Sequence, residues 1–400
     1  MFNFSSEATG RVGESDLSGA VVAMAMEWVP SYRVPFYNQL RSVLHARGIE
    51  LRLVHGDPPG NRKERKDHMT LPWAESVPNE FFSVKGTELT HQPVWGRVRD
   101  VDFLVLQQEV GLSLNYRALW HHKVPGFHGP PVGLWGHGEN PNPQTVNRWA
   151  EKLKRRVTPS ADWFFAYTER SAARFRHMGV PNDRITVVQN STDTEGLCNP
   201  TSPPSEPLGR RLAEVGERGA RVGWVVSALD EWKRVPFLLE VLDKTRTLEP
   251  QFEFFVLGAG NAAHILESAA VDRPWLHVLG PTFGADKAAV GQLAEVMIHP
   301  GLAGLHVVES FATSSPMVTA DLSYHSHEID YLRPGENAVV LPASAPSDAF
   351  AHTIADLFAY PDRLAQLQAG CSHDAERYSL DQMVRRFAYG IEQALEVTAQ

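Results

Sequence analysis

Two successive series of short apolar runs, each run followed by an amphipathic helical pattern, constrain this chain more than anything else in it. In the first series the strand-like runs are Ala20 to Met26, Glu50 to His55, Phe81 to Lys85, Asp102 to Leu106, Pro131 to Trp135, Trp163 to Tyr167 and Ile185 to Gln189. In the second they are Arg221 to Ala228, Phe252 to Leu257, Leu276 to Leu279, Glu295 to His299, Pro316 to Thr319 and Ala338 to Leu341. Helical stretches separate them: Pro35 to Ala46, where Phe36, Leu40, Val43 and Leu44 share a face, and later Lys233 to Leu248 and Asp348 to Ala359. Strands alternating with helices predict an α/β chain with two parallel, doubly wound, Rossmann-like domains. Four prolines among Ser, Thr and Asn between Cys198 and Pro207 mark the linker. The expected organisation is therefore a first domain over residues 1–195, a second over 205–375, and a C-terminal helix over 376–400 packing back on the first. Ligands in such sheets bind beyond the carboxyl ends of the strands, so chemistry is to be sought in the loops there.

Composition narrows the function. Residues 1–200 carry 23 Lys or Arg against 21 Asp or Glu, and residues 201–400 carry 15 against 26. With an acidic total and no aromatic-rich basic motif, nucleic acid is excluded as a partner. Basic residues gather at Arg62, Lys63, Arg65 and Lys66 and again at Lys152, Lys154, Arg155 and Arg156. Each run is either a solvated face or a contact for an anionic acceptor or a lipid surface at the membrane periphery. Cys198 and Cys371 stand far apart, the N-terminus has no signal-peptide pattern, and no run is long enough to span a membrane. A cytoplasmic protein is expected, with residues 1 to about 18 as a polar leader.

Three stretches bear candidate chemistry. In His299 to Thr319 a strand ends in a Pro-Gly loop and a helix opens near Gly304, its unpaired N–H groups suited to a diphosphate. Glu309 lies among Leu305, Val307, Val308 and Phe311, where a carboxylate needs a partner such as a sugar hydroxyl unless it faces solvent. In Val225 to Leu239 the loop after the strand bears Asp230, Lys233 and Arg234. A lysine at a strand's carboxyl end can meet a leaving diphosphate, or can be an ordinary solvated lysine. His137 sits between Gly136 and Gly138 at another strand end, either against a sugar or as a structural histidine.

These residues, in this order, resemble the retaining glycosyltransferases of the large family four, with the two-Rossmann GT-B fold. That family's Gly-Arg-Leu sequence looks like Ser227-Ala228-Leu229 here, with Lys233 at the matching distance beyond. Its asparagine-glycine turn looks like Val187-Val188-Gln189-Asn190, and its glycine pair like Gly258-Ala259-Gly260. Its Glu, seven residues, Glu signature is matched in its second half by Glu309, while Gly301 stands where the first Glu is expected. By that resemblance Lys233 contacts the donor diphosphate and Glu309 the nucleotide ribose. Ser227, Gly258 and Asn190 join the substrate site, and backbone N–H groups at Gly301, Leu302, Gly304 and Leu305 approach the donor. Met26 to Leu40 looks like the N-terminal loop and helix of some members, placing Tyr32 and Arg33 on the cleft. Arg33 there meets a phosphate or acidic acceptor, or is a surface arginine.

The resemblance implies a metal-independent, cofactor-free hexosyltransferase that uses a UDP- or GDP-type donor, retains anomeric configuration and acts on a glycan, lipid-linked or small-molecule acceptor. Ala228 and Gly301 depart from the pattern and keep two other readings open: a catalytically inactive nucleotide-sugar-binding subunit, and an epimerase or hydrolase of nucleotide sugars. A nicotinamide enzyme is excluded, because the first strand lacks a G-x-G-x-x-G loop and no acidic residue suits a ribose after Gly260. Asp321, His325, His327 and Glu328 lack a metal-ligand spacing, and Glu328 resembles a turn residue before the family's last donor-side strand.

Overall fold

The computed structural model describes residues 17–58, 68–84, 87–138 and 148–399. The basic run Arg62 to Lys66, Glu139 and most of the leader fall outside the described residues.

Nine strands form in the first half: β1 (Val21–Met26), β2 (Glu50–His55), β3 (Glu75–Ser76), β4 (Glu80–Val84), β5 (Thr87–His91), β6 (Phe103–Gln107), β7 (Val132–Gly136), β8 (Trp163–Ala166) and β9 (Ile185–Val187). Seven of these build one parallel sheet in the order β3-β2-β1-β6-β7-β8-β9. The second half supplies β10 (Arg221–Val226), β11 (Phe252–Leu257), β12 (Leu276–Gly280), β13 (Val296–Ile298), β14 (Met317–Ala320) and β15 (Ala338–Leu341), a parallel sheet ordered β12-β11-β10-β13-β14-β15. The order reverses between β1 and β6 in one sheet and between β10 and β13 in the other, and each reversal opens a crevice at the strands' carboxyl ends.

Both faces of each sheet are covered, so the strands read as nearly continuous apolar runs. Val22, Met24 and Met26 of β1 join one core with Phe103 and Val105, while Ala23 and Ala25 join the opposite core with Leu104 and Leu106. That split is the two-residue period of a strand. Trp224 and Phe255 likewise face one side of the second sheet and Val225 and Phe254 the other.

Phe81 sits in β4, which pairs with β5 as an antiparallel hairpin outside the parallel sheet. A run read as a sheet strand is thus half of a hairpin whose other half, Thr87–His91, is too polar to register as one. The helix expected to begin at Lys233 starts as a tight turn, Glu231–Lys233. It continues as Val235–Leu248 after Arg234, which adopts a left-handed conformation at φ 52°. The helix Val34–Ala46 carries Pro35 in its first turn, where a missing N–H costs nothing.

The last helix, Leu380–Thr398, belongs to the core of the first domain. Met383, Val384, Phe387, Ile391 and Leu395 are buried there with Phe36, Leu40 and Phe165. Phe387 stacks on Phe165 with ring centroids 4.2 Å apart and planes 4° from parallel. Each such fully buried side chain contributes about 1.5–3 kcal/mol. No helix among the described residues is long and apolar enough to cross a membrane.

Candidate active site

A crevice of about 650 Å³ that gathers several expected site residues lies beyond the carboxyl ends of β10, β11 and β12. Its walls are Ser227, Ala228 and Asp230 after β10, Gly258 to Asn261 after β11, Pro281 to Phe283 after β12, and Lys287, His306 and Glu309 from two helices. Two close backbone approaches build it. Gly258 has φ 141°, and a Cβ there would lie 1.8 Å from the Ser227 carbonyl oxygen. The loops after β10 and β11 are thereby pressed together, with Leu229 N–H donating to the Ala259 carbonyl at 2.9 Å.

The second approach explains the missing acidic residue at position 301. A Cβ on Gly301 would fall 2.4 Å from the Lys233 carbonyl carbon and 2.5 Å from its Cα. The turn Glu231–Lys233 packs directly on the loop after β13, so a side chain at 301 has no room. Leu302 N–H donates to the Trp232 carbonyl at 2.8 Å and closes the same contact.

Lys233 is buried, and its Nζ donates to the Leu302 carbonyl at 2.7 Å. Burial pushes its ammonium down to about 8, against the opposing pull of Asp230. Asp230 itself accepts the Trp232 N–H at 3.1 Å and caps the turn. Glu309 has the partner its apolar setting demands: Lys287 Nζ at 2.6 Å, both side chains about one-sixth exposed. The loop's N–H groups are largely occupied by the chain, since Ala303 N–H donates to His325 Nδ1 at 2.9 Å and Gly304 N–H to His306 Nε2 at 3.1 Å. This differs from the open row of donors expected at that helix start. The helix His306–Ala312 has Leu305 as its half-buried N-terminal residue.

The first-domain candidates lie at the seam between the domains. Tyr32 is exposed, while Arg33 is buried and spans to Asn190 Oδ1 and the Ser191 carbonyl, the latter at 3.0 Å. Asn190 in turn donates to Glu328 Oε1 at 2.5 Å, and Tyr331 Oη donates to the Asn190 carbonyl at 3.0 Å. Burial raises the Glu328 carboxyl above the usual range, with the Asn190 hydrogen bond opposing. Asp330 extends the seam, accepting from Thr168 Oγ1 and pairing with Arg170, each at 2.8 Å. The His137 ring faces His327 of the second domain at 4.6 Å and is held well below the ordinary histidine range, first by burial and then by His327.

Ser227, Gly258 and Glu309 thus share one crevice, with Lys233, Gly301, Leu302 and Gly304 packed behind it, while Tyr32, Arg33, Asn190 and His137 stand at the seam. Lys287, His306 and Phe283 line the crevice without having been singled out. Lys287 carried no signal because it meets Glu309 only through the crossover from β12 to β13. His306 stood inside the quoted stretch as an unremarked neighbour of Leu305.

A sequence model described as Glycosyltransferase Family 4 matches residues 36–195, and one described as Glycosyl transferases group 1 matches residues 220–359, together three quarters of the chain. The chain belongs to the family-four-like glycosyltransferases of GT-B fold. No curated protein matches this glycosyltransferase. Solved structures share its fold at low identity. Anabaena Alr3699/HepE, solved in complex with UDP, is 15% identical with a TM-score of 0.66, covering 93% of this chain and 99% of its own. The pneumococcal O-GlcNAc transferase GtfA, solved with UDP and GlcNAc, is 11% identical with a TM-score of 0.64, covering 94% and 99%. The lipopolysaccharide outer core galactosyltransferase WaaB in its apo form is 16% identical with a TM-score of 0.60, covering 93% and 99%.

Proposed function

We propose that this glycosyltransferase moves a hexosyl group from a nucleoside-diphosphate sugar, of UDP or GDP type, to an acceptor held by the first domain, with retention at the anomeric carbon. The observation that carries the reading is the crevice at the β10–β13 reversal, where Ser227, Gly258 and Glu309 line one space and Lys233 stands immediately behind it. UDP in the structures of HepE and GtfA supports a uridine donor first. In this reading Glu309 accepts from the ribose hydroxyls, and Lys233 leaves the Leu302 carbonyl to meet the diphosphate. Its charge stabilises the negative oxygen that develops as the anomeric carbon–oxygen bond breaks. His137, neutral at the seam, stands on the sugar side. The chemistry assigned to these residues uses protein cations rather than a metal. The acceptor is a lipid-linked glycan first, with peripheral contact at a membrane, and a small molecule second.

A melting screen tests the donor site. UDP-glucose or GDP-mannose should stabilise the folded protein by RT ln(1 + [L]/Kd), about 2.7 kcal/mol at a hundredfold excess over Kd, and so raise its melting temperature. Glu309→Ala and Lys233→Ala should each remove that shift, and the absence of any shift with the wild type would sink the reading. Because Lys233 is cationic below about 8 and neutral above, kcat/KM for the donor should show an alkaline limb with its midpoint near 8. Lys233→Ala should lack the limb, and a limb unchanged in that variant would reassign it to another group. The hydrogen bond that holds Lys233 on Leu302 also favours a second reading, a subunit that binds the donor without turning it over. Donor binding with neither transfer nor donor hydrolysis would decide for it.

A further inference from the structure

The donor crevice has an unbalanced charge. Among its described lining residues, Asp230 and Glu309 are carboxylates, Lys287 is the ammonium, and His306 is the one imidazole. Lys287 is already engaged by Glu309 at 2.6 Å. Lys233 has its Nζ on the Leu302 carbonyl, and Ala228, exposed on the crevice wall, offers no charge. A doubly negative diphosphate entering this space therefore meets more carboxylate than free cation. His306 is the lining group able to become a cation near neutral pH.

Its hydrogen bonds show what protonation would change. Gly304 N–H donates to Nε2 at 3.1 Å, so Nε2 carries a lone pair and the ring is neutral. The Leu302 carbonyl lies 3.4 Å from the same nitrogen and already accepts from Lys233. The ring stacks on the buried His299 with centroids 4.3 Å apart and planes 20° from parallel. The charged and titratable groups facing it are His299 just after β13, Lys233 from the turn after β10, Lys287 from helix Gly284–Leu293, and Glu309 one turn on along its own helix.

We propose that His306 is a proton-gated anion-binding residue of the donor site: it takes up a proton as the diphosphate enters, and in doing so it releases the Gly304 N–H for a phosphate oxygen. The inference rests on the donor-site reading above. The proton comes from solvent and goes to Nε2, where it replaces the hydrogen bond accepted from Gly304. The Nε2–H then turns to the Leu302 carbonyl, which allows Lys233 to leave that oxygen for the phosphate. One protonation thus supplies a positive charge, a backbone donor and a freed ammonium. Burial, then His299, then Lys233 hold the imidazole well below its ordinary range, which favours its neutral form. Two negative charges at the phosphate shift that balance toward the cation.

Calorimetric titration with UDP-glucose and GDP-mannose tests this, since neither pyrophosphate diester gains or loses a proton near neutrality. Measured at about pH 7 in HEPES and in Tris, the wild-type heats should differ by the uptake of about one proton per donor bound. Affinity should weaken as pH rises from about 6 to 8, each pH unit costing up to about tenfold. His306→Gln, which keeps an acceptor for Gly304, should lose the uptake and bind about tenfold more weakly. Adding Ala228→Arg, which puts a fixed charge on the crevice wall, should restore affinity without uptake. Should His306→Gln fail to fold, the imidazole resonances of the wild type, followed over pH with and without donor, report the same protonation. Donor binding without proton uptake, or uptake undiminished in His306→Gln, overturns the role of His306 and leaves the donor site standing. If neither nucleotide sugar binds at any pH, the donor-site reading falls and the inference falls with it.

Discussion

Arg33→Ala is expected to destabilise the protein by about 3–5 kcal/mol, the cost typical of removing one partner from a buried charged network. The guanidinium is 4% exposed and lies between the Tyr32 and Trp135 rings, 5.1 Å from each centroid. Truncation leaves Asn190 Oδ1 and the Ser191 carbonyl without their donor, and removes the nearest arginine from the buried Glu328. At about 2–4 °C per kcal/mol for domains of this size, the melting temperature should fall by about 6–20 °C. Arg33→Lys should recover part of the loss, since an ammonium keeps the charge but lacks the planar fork. The same variants separate the two roles open to this residue. An Arg33→Ala protein that melts like the wild type and fails only with acceptor would place Arg33 on the ligand; a cooperative loss of stability makes it a structural residue of the first domain that holds Asn190 and Ser191 in place.

Gly258→Ala should be comparably severe, about 3–5 kcal/mol, and confined to the second domain. The position combines a φ of 141°, which side chains rarely adopt, with a Cβ 1.8 Å from the Ser227 carbonyl oxygen. Neither neighbouring strand can easily yield. Ser227 N–H donates to the Leu257 carbonyl at 2.9 Å and Gly258 N–H to the Gly280 carbonyl at 2.8 Å, so moving one loop breaks the other. Scanning calorimetry should show the second domain melting about 6–20 °C lower, with donor-induced stabilisation gone, because Ser227 and Gly258 form the crevice wall. A melting temperature within 2 °C of the wild type would mean the loops can part freely, contrary to their hydrogen bonding.

Most of the strand framework is legible in the sequence because parallel strands buried on both faces leave uninterrupted apolar runs. β2 spans Glu50–His55, the same residues its apolar run marks, and the parallel pairing of the second sheet follows from alternation with helices. What escaped is short or polar: β3 has two residues, and β5 reads Thr-Glu-Leu-Thr-His. The site divides in the same way. Gly258 and Lys233 are marked by their place at strand ends, a local property. The pairing of Glu309 with Lys287, the burial of Arg33 under helix Leu380–Thr398 and the approach of Gly301 to Lys233 depend on segments far apart in sequence, and no local pattern encodes them. Gly301 is the instructive case. As a sequence it looks like the loss of an acid; in the structure it is what lets the turn before it close.

The return of helix Leu380–Thr398 to the first domain also bears on how the protein is made. The first sheet is synthesised first, yet the core that Val22, Met24, Phe103 and Phe165 share with helix Val34–Ala46 is completed only when helix Leu380–Thr398 arrives. That helix follows, along the chain, the whole second domain, whose cores draw on nothing beyond Tyr378 among the described residues. The usual order, in which an N-terminal domain matures while the rest of the chain is still being made, is reversed here. The nascent first domain must wait, with part of an apolar face open to chaperones, until helix Leu380–Thr398 has been made. A late premature stop would therefore strand the half of the protein farthest from it.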